Sequence, residues 1–347
     1  MKIAIVANDG SPIGCTYKTI WGQDGHVGCG GSELAVMTLA EEWTKKGHEC
    51  ILFNSPREMG VSPFDQRPVA AFNPSEYYDV VIAFRTPNQK VVDSNSQLKV
   101  FLSFDQYTSQ PFIPFLNRVD KVVGISQYHS YYFKARYGFR DMVVIDLPLR
   151  ADDFEDIDVE KIPNRLIHTS VPDRGLLNIL AMWPSIRKNI PDATIRITSD
   201  YRLWGINHSN NENYFSQFMG MEGVIFPYNA SLLRKQYLEE LCKSDILFYP
   251  HQAAHPELFC ISAAEAQYAG AYPVSSDIGA LATTNMGMVI PGNPEDGAWR
   301  TRCVNKVVEL LTDRDELVTK QNDVAIRAFH RFHPDIVLSA WDNEVFV

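Results

Sequence analysis

The run Leu166-Ile167-His168-Thr169-Ser170-Val171-Pro172-Asp173-Arg174-Gly175 decides how the chain is read. Leu166 to Thr169 is a short apolar strand. Pro172 and Gly175 interrupt it, a helical stretch runs from Gly175 to Lys188, and a second strand follows at Thr194 to Thr198. Strand, helix, strand is the unit from which parallel sheets are built. Open sheets of that kind bind ligands at the carboxyl ends of their strands, where this loop lies. There Arg174 offers a permanent charge whose fork matches phosphate oxygens. A plainer reading stands beside that one: Asp173 caps the helix and Arg174 is solvated.

Outward from this unit the alternation continues in both directions. Before it, strands are expected at Lys2 to Ala7, His48 to Asn54, Tyr78 to Phe84, Lys99 to Phe104, Lys121 to Ile125 and Met142 to Asp146, with helices at Ser32 to Lys46 and Gln127 to Arg136. In the first helix Val36, Leu39, Ala40 and Trp43 share one face, and Gly47 suits the left-handed residue that ends it. After it come strands at Gly223 to Phe226, Ile246 to Tyr249 and Tyr272 to Val274, with helices at Ser231 to Lys243 and near Ser262 to Ala269. Between the two series Asp152, Asp153, Glu155, Asp156, Asp158 and Glu160 crowd into a polar stretch that reads as a solvated linker. Two doubly wound α/β domains account for the pattern, and 347 residues suit two compact domains better than one core. No internal repeat at solenoid periods is found.

Composition excludes several classes. With 45% apolar and 21% charged residues, and 20 Gly and 20 Pro scattered along the chain, this is a globular protein, not a disordered or collagen-like one. A net charge of −10 with no basic block gives no footprint for nucleic acid, so an anion must be met by a local site. The six cysteines show no C-x-x-C spacing and the N-terminus no signal peptide, so reduced thiols and a cytoplasmic location are expected. No apolar run reaches the roughly 18 residues that cross a bilayer, which leaves peripheral membrane contact open.

Three further features bear on chemistry. Asn8 to Cys29 is a connection of about 22 residues without periodicity, and long connections in compact domains are usually functional or mobile. It ends in Gly30-Gly31-Ser32-Glu33, where bare backbone N–H groups at a helix start suit a phosphate, or simply a tight turn. Pro256 to Gly270 holds Glu257 and Glu265, too far apart to share a helical turn. Glu257 is expected in a loop, and Glu265 in a helix among small apolar residues, where a charge needs hydroxyls or cations to meet it. Its oxygens could accept from vicinal sugar hydroxyls, or it could be a single amphipathic glutamate. His129 and the pair His251 and His255 raise the question of a metal, but two histidines four apart without H-E-x-x-H or a nearby third ligand do not make a zinc site. Gly-x-Ser-x-Gly is absent, so a serine hydrolase is unsupported.

Together these motifs resemble those of retaining glycosyltransferases, closest to glycosyltransferase family 4. Glu257 and Glu265 stand in its E-x₇-E pattern with Phe259 in the usual place and Asp277-Ile278-Gly279-Ala280 after it. Gly30-Gly31-Ser32-Glu33 is similar to its glycine loop, Pro172-Asp173-Arg174-Gly175 to its basic loop, and Phe332-His333-Pro334 before Trp341 to its terminal helix. The resemblance spans nearly the whole chain and implies a GT-B architecture of two Rossmann-like domains facing across a cleft. Residues 1–150 would form the acceptor-side domain and 151–332 the donor-side domain, with a helix at 333–347 packing back on the first. It implies transfer of a sugar from a nucleotide diphosphate sugar to a hydroxyl acceptor (glycan, lipid or small molecule) with no metal or other cofactor.

By the same resemblance Glu265 would bind the donor ribose, Glu257 the transferred sugar, and Leu258, Phe259, Cys260 and Ile261 would line the sugar and diphosphate. Gly30 and Gly31 would also contact the donor, Arg174 would neutralise the leaving diphosphate, and the base would lie near Phe226 to Asn229, with Tyr228 among its contacts. Three positions depart from the pattern. Thr169 replaces a second basic residue, so Arg202 or Arg85 would have to serve. Cys260 replaces a common glycine, and Phe104-Asp105 a common histidine, leaving Asp105 as the candidate acceptor-side polar group. Two alternatives remain: a nucleotide-sugar epimerase of similar build, and a non-catalytic subunit that binds nucleotide sugar.

Overall fold

The structure, a computed structural model, describes residues 1–8, 14–25, 28–58, 60–105, 112–204, 216, 220–226, 232–252, 254 and 256–347, with the backbone alone for Arg202 and Trp204. The chain divides into two compact units, Met1–Arg150 with Phe332–Val347, and Ala151–Arg331.

The first unit contains a parallel sheet of β1 (Lys2–Val6), β2 (Glu49–Phe53), β3 (Asp65–Arg67), β4 (Tyr78–Phe84), β5 (Ser96–Leu102), β6 (Lys121–Gly124) and β7 (Met142–Val144), in the order β3-β2-β1-β4-β5-β6-β7. Its central strands carry near-continuous apolar runs because both faces are covered: Ile3 to Val6 and Val80 to Phe84 are all buried. Helix α1 (Gly31–Lys45) buries the stripe Val36, Leu39, Ala40 and Trp43. It ends where Gly47 adopts φ +85°, with the Gly47 and His48 N–H groups donating to Thr44 and Trp43 carbonyls. The other helices of this unit before residue 150 are α2 (Gln89–Val92), α3 (Phe112–Leu116) and α4 (Gln127–Tyr137). Within the Asn8 to Cys29 connection, a short 3-10 helix at Tyr17–Trp21 ties Tyr17 and Arg150 to Glu41 of α1. That part of the connection is regular structure, contrary to its aperiodic sequence.

The second unit repeats the plan with β8 (Arg165–His168), β9 (Thr194–Ile197), β10 (Val224–Ile225), β11 (Ile246–Tyr249), β12 (Tyr272–Ser276) and β13 (Met288–Ile290), all parallel, in the order β10-β9-β8-β11-β12-β13. Among the described residues its helices include α5 (Leu176–Asn189), α6 (Arg234–Lys243), α7 (Ile261–Tyr268), α8 (Leu281–Thr284), α9 (Gly297–Thr312) and α10 (Arg314–Phe332). The chain then re-enters the first unit as α11 (Pro334–Glu344), whose Trp341 meets Trp43 of α1 edge-on at 5.1 Å between ring centroids. In both sheets the strand order reverses beside the first strand, between β1 and β4 and between β8 and β11. At such switch points the loops leave a crevice beyond the carboxyl ends of the strands.

Candidate active site

The switch point of the second unit gathers the basic loop, the end of β11 and the first glutamate. After β8 the chain makes a 3-10 turn at Pro172–Arg174, and Gly175 takes φ +105° before α5 begins. A Cβ at Gly175 would lie 2.5 Å from the Pro250 carbonyl oxygen, so only glycine lets the loop close on the end of β11. Asn178 donates to the same oxygen at 2.9 Å and fixes the contact. Asp173 therefore lies within the turn and caps nothing, which corrects the plainer sequence reading; α5 has no side-chain cap.

This closure places Arg174 beside three groups. Its Nη1 lies 3.3 Å from His251 Nε2 and 3.7 Å from Glu257 Oε1, and its Nε is 3.9 Å from Asp173 Oδ1. The Tyr249 hydroxyl donates to Glu257 Oε1 at 2.8 Å. Burial opposes the charge on Arg174, but Glu257, Tyr249 and Asp173 outweigh it and hold the guanidinium above its ordinary pKa. Burial, reinforced by the Glu257 charge, pushes the Tyr249 hydroxyl well up, so it is a donor and not a base.

Glu257 lies in a loop, held by a bridge to Gly279, whose own φ is +67°; the next residue's N–H, that of Ala280, donates to the Glu257 carbonyl at 2.7 Å. Leu258, Phe259 and Cys260 are buried, Ile261 is partly so, and Cys260 caps the start of α7 with φ +73°. A left-handed backbone is what glycine adopts without strain, and Cys260 holds it while belonging to the buried apolar cluster that includes Ile167, Leu247, Tyr249 and Ala263. Ser262 in the first turn of α7 donates to the Thr169 carbonyl at 3.2 Å, joining this helix end to the basic loop. Thr169 itself is buried, and its hydroxyl has no hydrogen-bond partner among the described residues.

Glu265 is inside α7 and only 3% exposed. The cation that its setting demands is Arg234, whose Nη1 is 2.6 Å from Glu265 Oε1, and the Tyr237 hydroxyl donates to Oε2 at 2.9 Å. Arg234 Nε reaches Asp153 Oδ2 at 2.9 Å. Asp153 is thus no part of a solvated run: its side chain is 4% exposed, whereas Asp152, Glu155, Asp156, Asp158 and Glu160 are exposed. Burial opposes the charge on Arg234, yet Glu265 and Asp153 together raise its pKa. Sequence reading missed Arg234, Tyr237 and Tyr249. Arg234 and Tyr237 lie three apart on one helix, hence on one face, but nothing local names the acid they meet.

In the first unit, α1 begins at Gly30 and Gly31 with ordinary backbone angles at the Gly30 cap; the left-handed turn sits earlier, at Gly28 with φ +92°. Glu33, in the first turn, is 3.2 Å from Arg85 Nη1, and Arg85 Nε donates to Asp105 Oδ2 at 2.9 Å. Arg85, at the end of β4 with φ +66°, is therefore shared between two carboxylates. Phe104 packs on Phe84 at 4.8 Å as core. Tyr228, His255 and the side chain of Arg202 lie outside the described residues.

The architecture can now be compared with known structures. Over 99% of this chain and 98% of the other, it matches sucrose-phosphate synthase from Thermosynechococcus elongatus with a TM-score of 0.70 at 14% identity. AviGT4, a glycosyltransferase involved in avilamycin A biosynthesis, matches over 100% and 97% with a TM-score of 0.70 at 15% identity.

The fold is GT-B.

HepE from Anabaena, solved in complex with UDP and glucose, shares this GT-B fold over 98% and 97% of the two chains, with a TM-score of 0.65 at 14% identity. No protein-family model matches the sequence, and no curated protein sequence matches it. No helix among the described residues is long and apolar enough to cross a membrane.

Proposed function

We propose that the chain is a retaining glycosyltransferase that moves a sugar from a nucleotide diphosphate sugar to a hydroxyl acceptor without a metal. The observation that carries this reading is Arg174, fixed by Gly175 at the carboxyl ends of β8 and β11 beside Glu257, within a GT-B fold. As the sugar–phosphate bond breaks, negative charge grows on the departing diphosphate, and a preorganised guanidinium favours that state over the intact donor. Glu257, oriented by Tyr249, accepts hydroxyls of the sugar being transferred, and Glu265 accepts those of the ribose. Among the described residues no carboxylate stands out as a nucleophile, and the mechanism proposed is attack on the face the leaving group vacates, with a departing phosphate oxygen taking the acceptor proton. The protein then contributes positioning and charge. Its first unit would take the acceptor, with Asp105 as a polar contact.

Slow hydrolysis of the donor tests this reading, since release of free sugar needs the leaving-group site but no acceptor. Incubation with UDP-, GDP-, ADP- and TDP-sugars should release sugar from at least one of them, with the anomeric configuration kept. Binding without release would make the chain a nucleotide-sugar-binding subunit, and inversion at another sugar carbon would make it an epimerase. Activity should survive excess EDTA; loss on chelation with recovery on adding Mg²⁺ or Mn²⁺ would overturn the metal-free scheme.

A further inference from the structure

Arg234 is buried between two carboxylates, with only one of its terminal nitrogens accounted for. Nε serves Asp153 and Nη1 serves Glu265, while Nη2 is buried and has no hydrogen-bond partner among the described residues. A guanidinium that gives up water must place its donors or lose stability, so an unmatched Nη2 on an arginine paired with an acceptor carboxylate calls for an oxygen acceptor from a ligand. Glu265 is the complement: each oxygen holds one protein donor, Arg234 on Oε1 and Tyr237 on Oε2, and each has a second lone pair left. Side by side, a free N–H donor and free carboxylate lone pairs match a hydroxyl, which accepts through its oxygen and donates through its hydrogen.

We infer that Arg234, braced by Asp153, makes the donor site selective for a ribose diol: it holds Glu265 in place and itself donates to a ribose hydroxyl oxygen. The inference rests on the reading of Glu265 as the ribose ligand and deepens it by naming the partner that sets the preference. Asp153 matters because a single arginine facing Glu265 alone could turn about its own side chain. Pinned at Nε, it presents one edge, and the first turn after Arg150 becomes part of the nucleotide site.

The test compares ribonucleotides with their 2′-deoxy and 3′-deoxy counterparts. UDP, ADP and GDP are screened by thermal shift on the full chain, and the tightest binder and its two deoxy forms are titrated by calorimetry. The wild type should prefer the ribonucleotide to at least one deoxy form by roughly ten- to a hundredfold, the range for a hydrogen bond to a charged group. In Arg234→Gln that ratio should fall to about twofold or less, and in Arg234→Lys, which keeps the charge but not the fork, to an intermediate value. Lost packing alone would weaken ribo and deoxy ligands alike and leave the ratio unchanged. A wild-type ratio kept in a folded Arg234 variant overturns the inference while leaving the ribose reading intact. No discrimination in the wild type overturns the ribose reading and this inference with it. If neither Arg234 variant folds, Asp153→Asn decides: a reduced ratio supports the role, and an unchanged ratio overturns it.

Discussion

At Arg174 a guanidinium 3.7 Å from Glu257 and 3.3 Å from His251 is oriented by groups of the protein itself. Such a group stabilises charge that develops during reaction at little cost in reorganisation, and its loss should appear in turnover more than in affinity. Arg174→Ala should lower kcat by roughly 10² to 10³ with a smaller change in donor affinity. Arg174→Lys should recover part of the rate but not all, because a point charge cannot reproduce the fork. Steady-state kinetics on both variants decide the matter, and near-normal kcat in Arg174→Ala would move the leaving-group role elsewhere. Glu265 differs in kind, each of its oxygens holding one protein donor, Arg234 or Tyr237, with a lone pair left for a ligand. Glu265→Ala should weaken nucleotide-sugar binding by about 1 to 3 kcal/mol, measured by calorimetry. It should also lower stability, because Arg234 keeps its burial and loses a carboxylate. Unchanged affinity in a folded variant would reject the ribose role.

Among the elements, the β8–α5 connection is closely constrained. Gly175 combines φ +105° with a Cβ position 2.5 Å from a backbone carbonyl, and neither neighbour is a flexible side-chain end that could yield. Gly175→Ala should therefore destabilise the protein by about 1 to 3 kcal/mol or more, read as a lower urea midpoint. It should also slow turnover, since Arg174 is the preceding residue. Gly138, which ends α4 with φ +69° in open space, provides the contrast: Gly138→Ala is strained in backbone but meets nothing, and should cost less. A midpoint that falls no further in Gly175→Ala than in Gly138→Ala would mean that the loop relaxes away from β11.

Across the whole molecule, each unit encloses a neutral histidine. His129 in the first and His168 in the second are both pushed down to about 4 by burial, although backbone acceptors (Asp105 for His129, Phe248 and Val171 for His168) partly support the charged form. In the unfolded chain an imidazole titrates near 6.5, so between about pH 6.5 and 4 the unfolded state binds the extra protons and stability falls as pH falls. Each histidine should contribute up to about 3 kcal/mol to that loss. Urea unfolding at pH 7 and 4.5 should show it, and the difference should shrink in His129→Gln and in His168→Gln. An equal pH difference in wild type and both variants would assign the acid sensitivity to other groups.

How much of this was legible without coordinates follows from the range over which each signal acts. Tyr78 to Phe84 and Ile246 to Tyr249 were readable as strands, and the Val36, Leu39, Ala40 and Trp43 stripe as a helix face, because backbone periodicity repeats within a few residues. The edge strand Asp65 to Arg67 was not, since a short polar segment paired on one side leaves no alternation to read. The placement of Arg174 and Glu257 in loops at the ends of parallel strands was legible, because the strands before them and the helices after them are marked by local periodicity. Their partners were not: Arg174 meets His251 across 77 positions, Tyr237 meets Glu265 across 28, and Arg234 meets Asp153 across 81. A charged side chain declares in sequence that it needs a partner when buried, as Glu265 did, but not which one. That choice belongs to the tertiary structure, because strand order and helix packing bring distant segments within the few ångströms over which hydrogen bonds and ion pairs act.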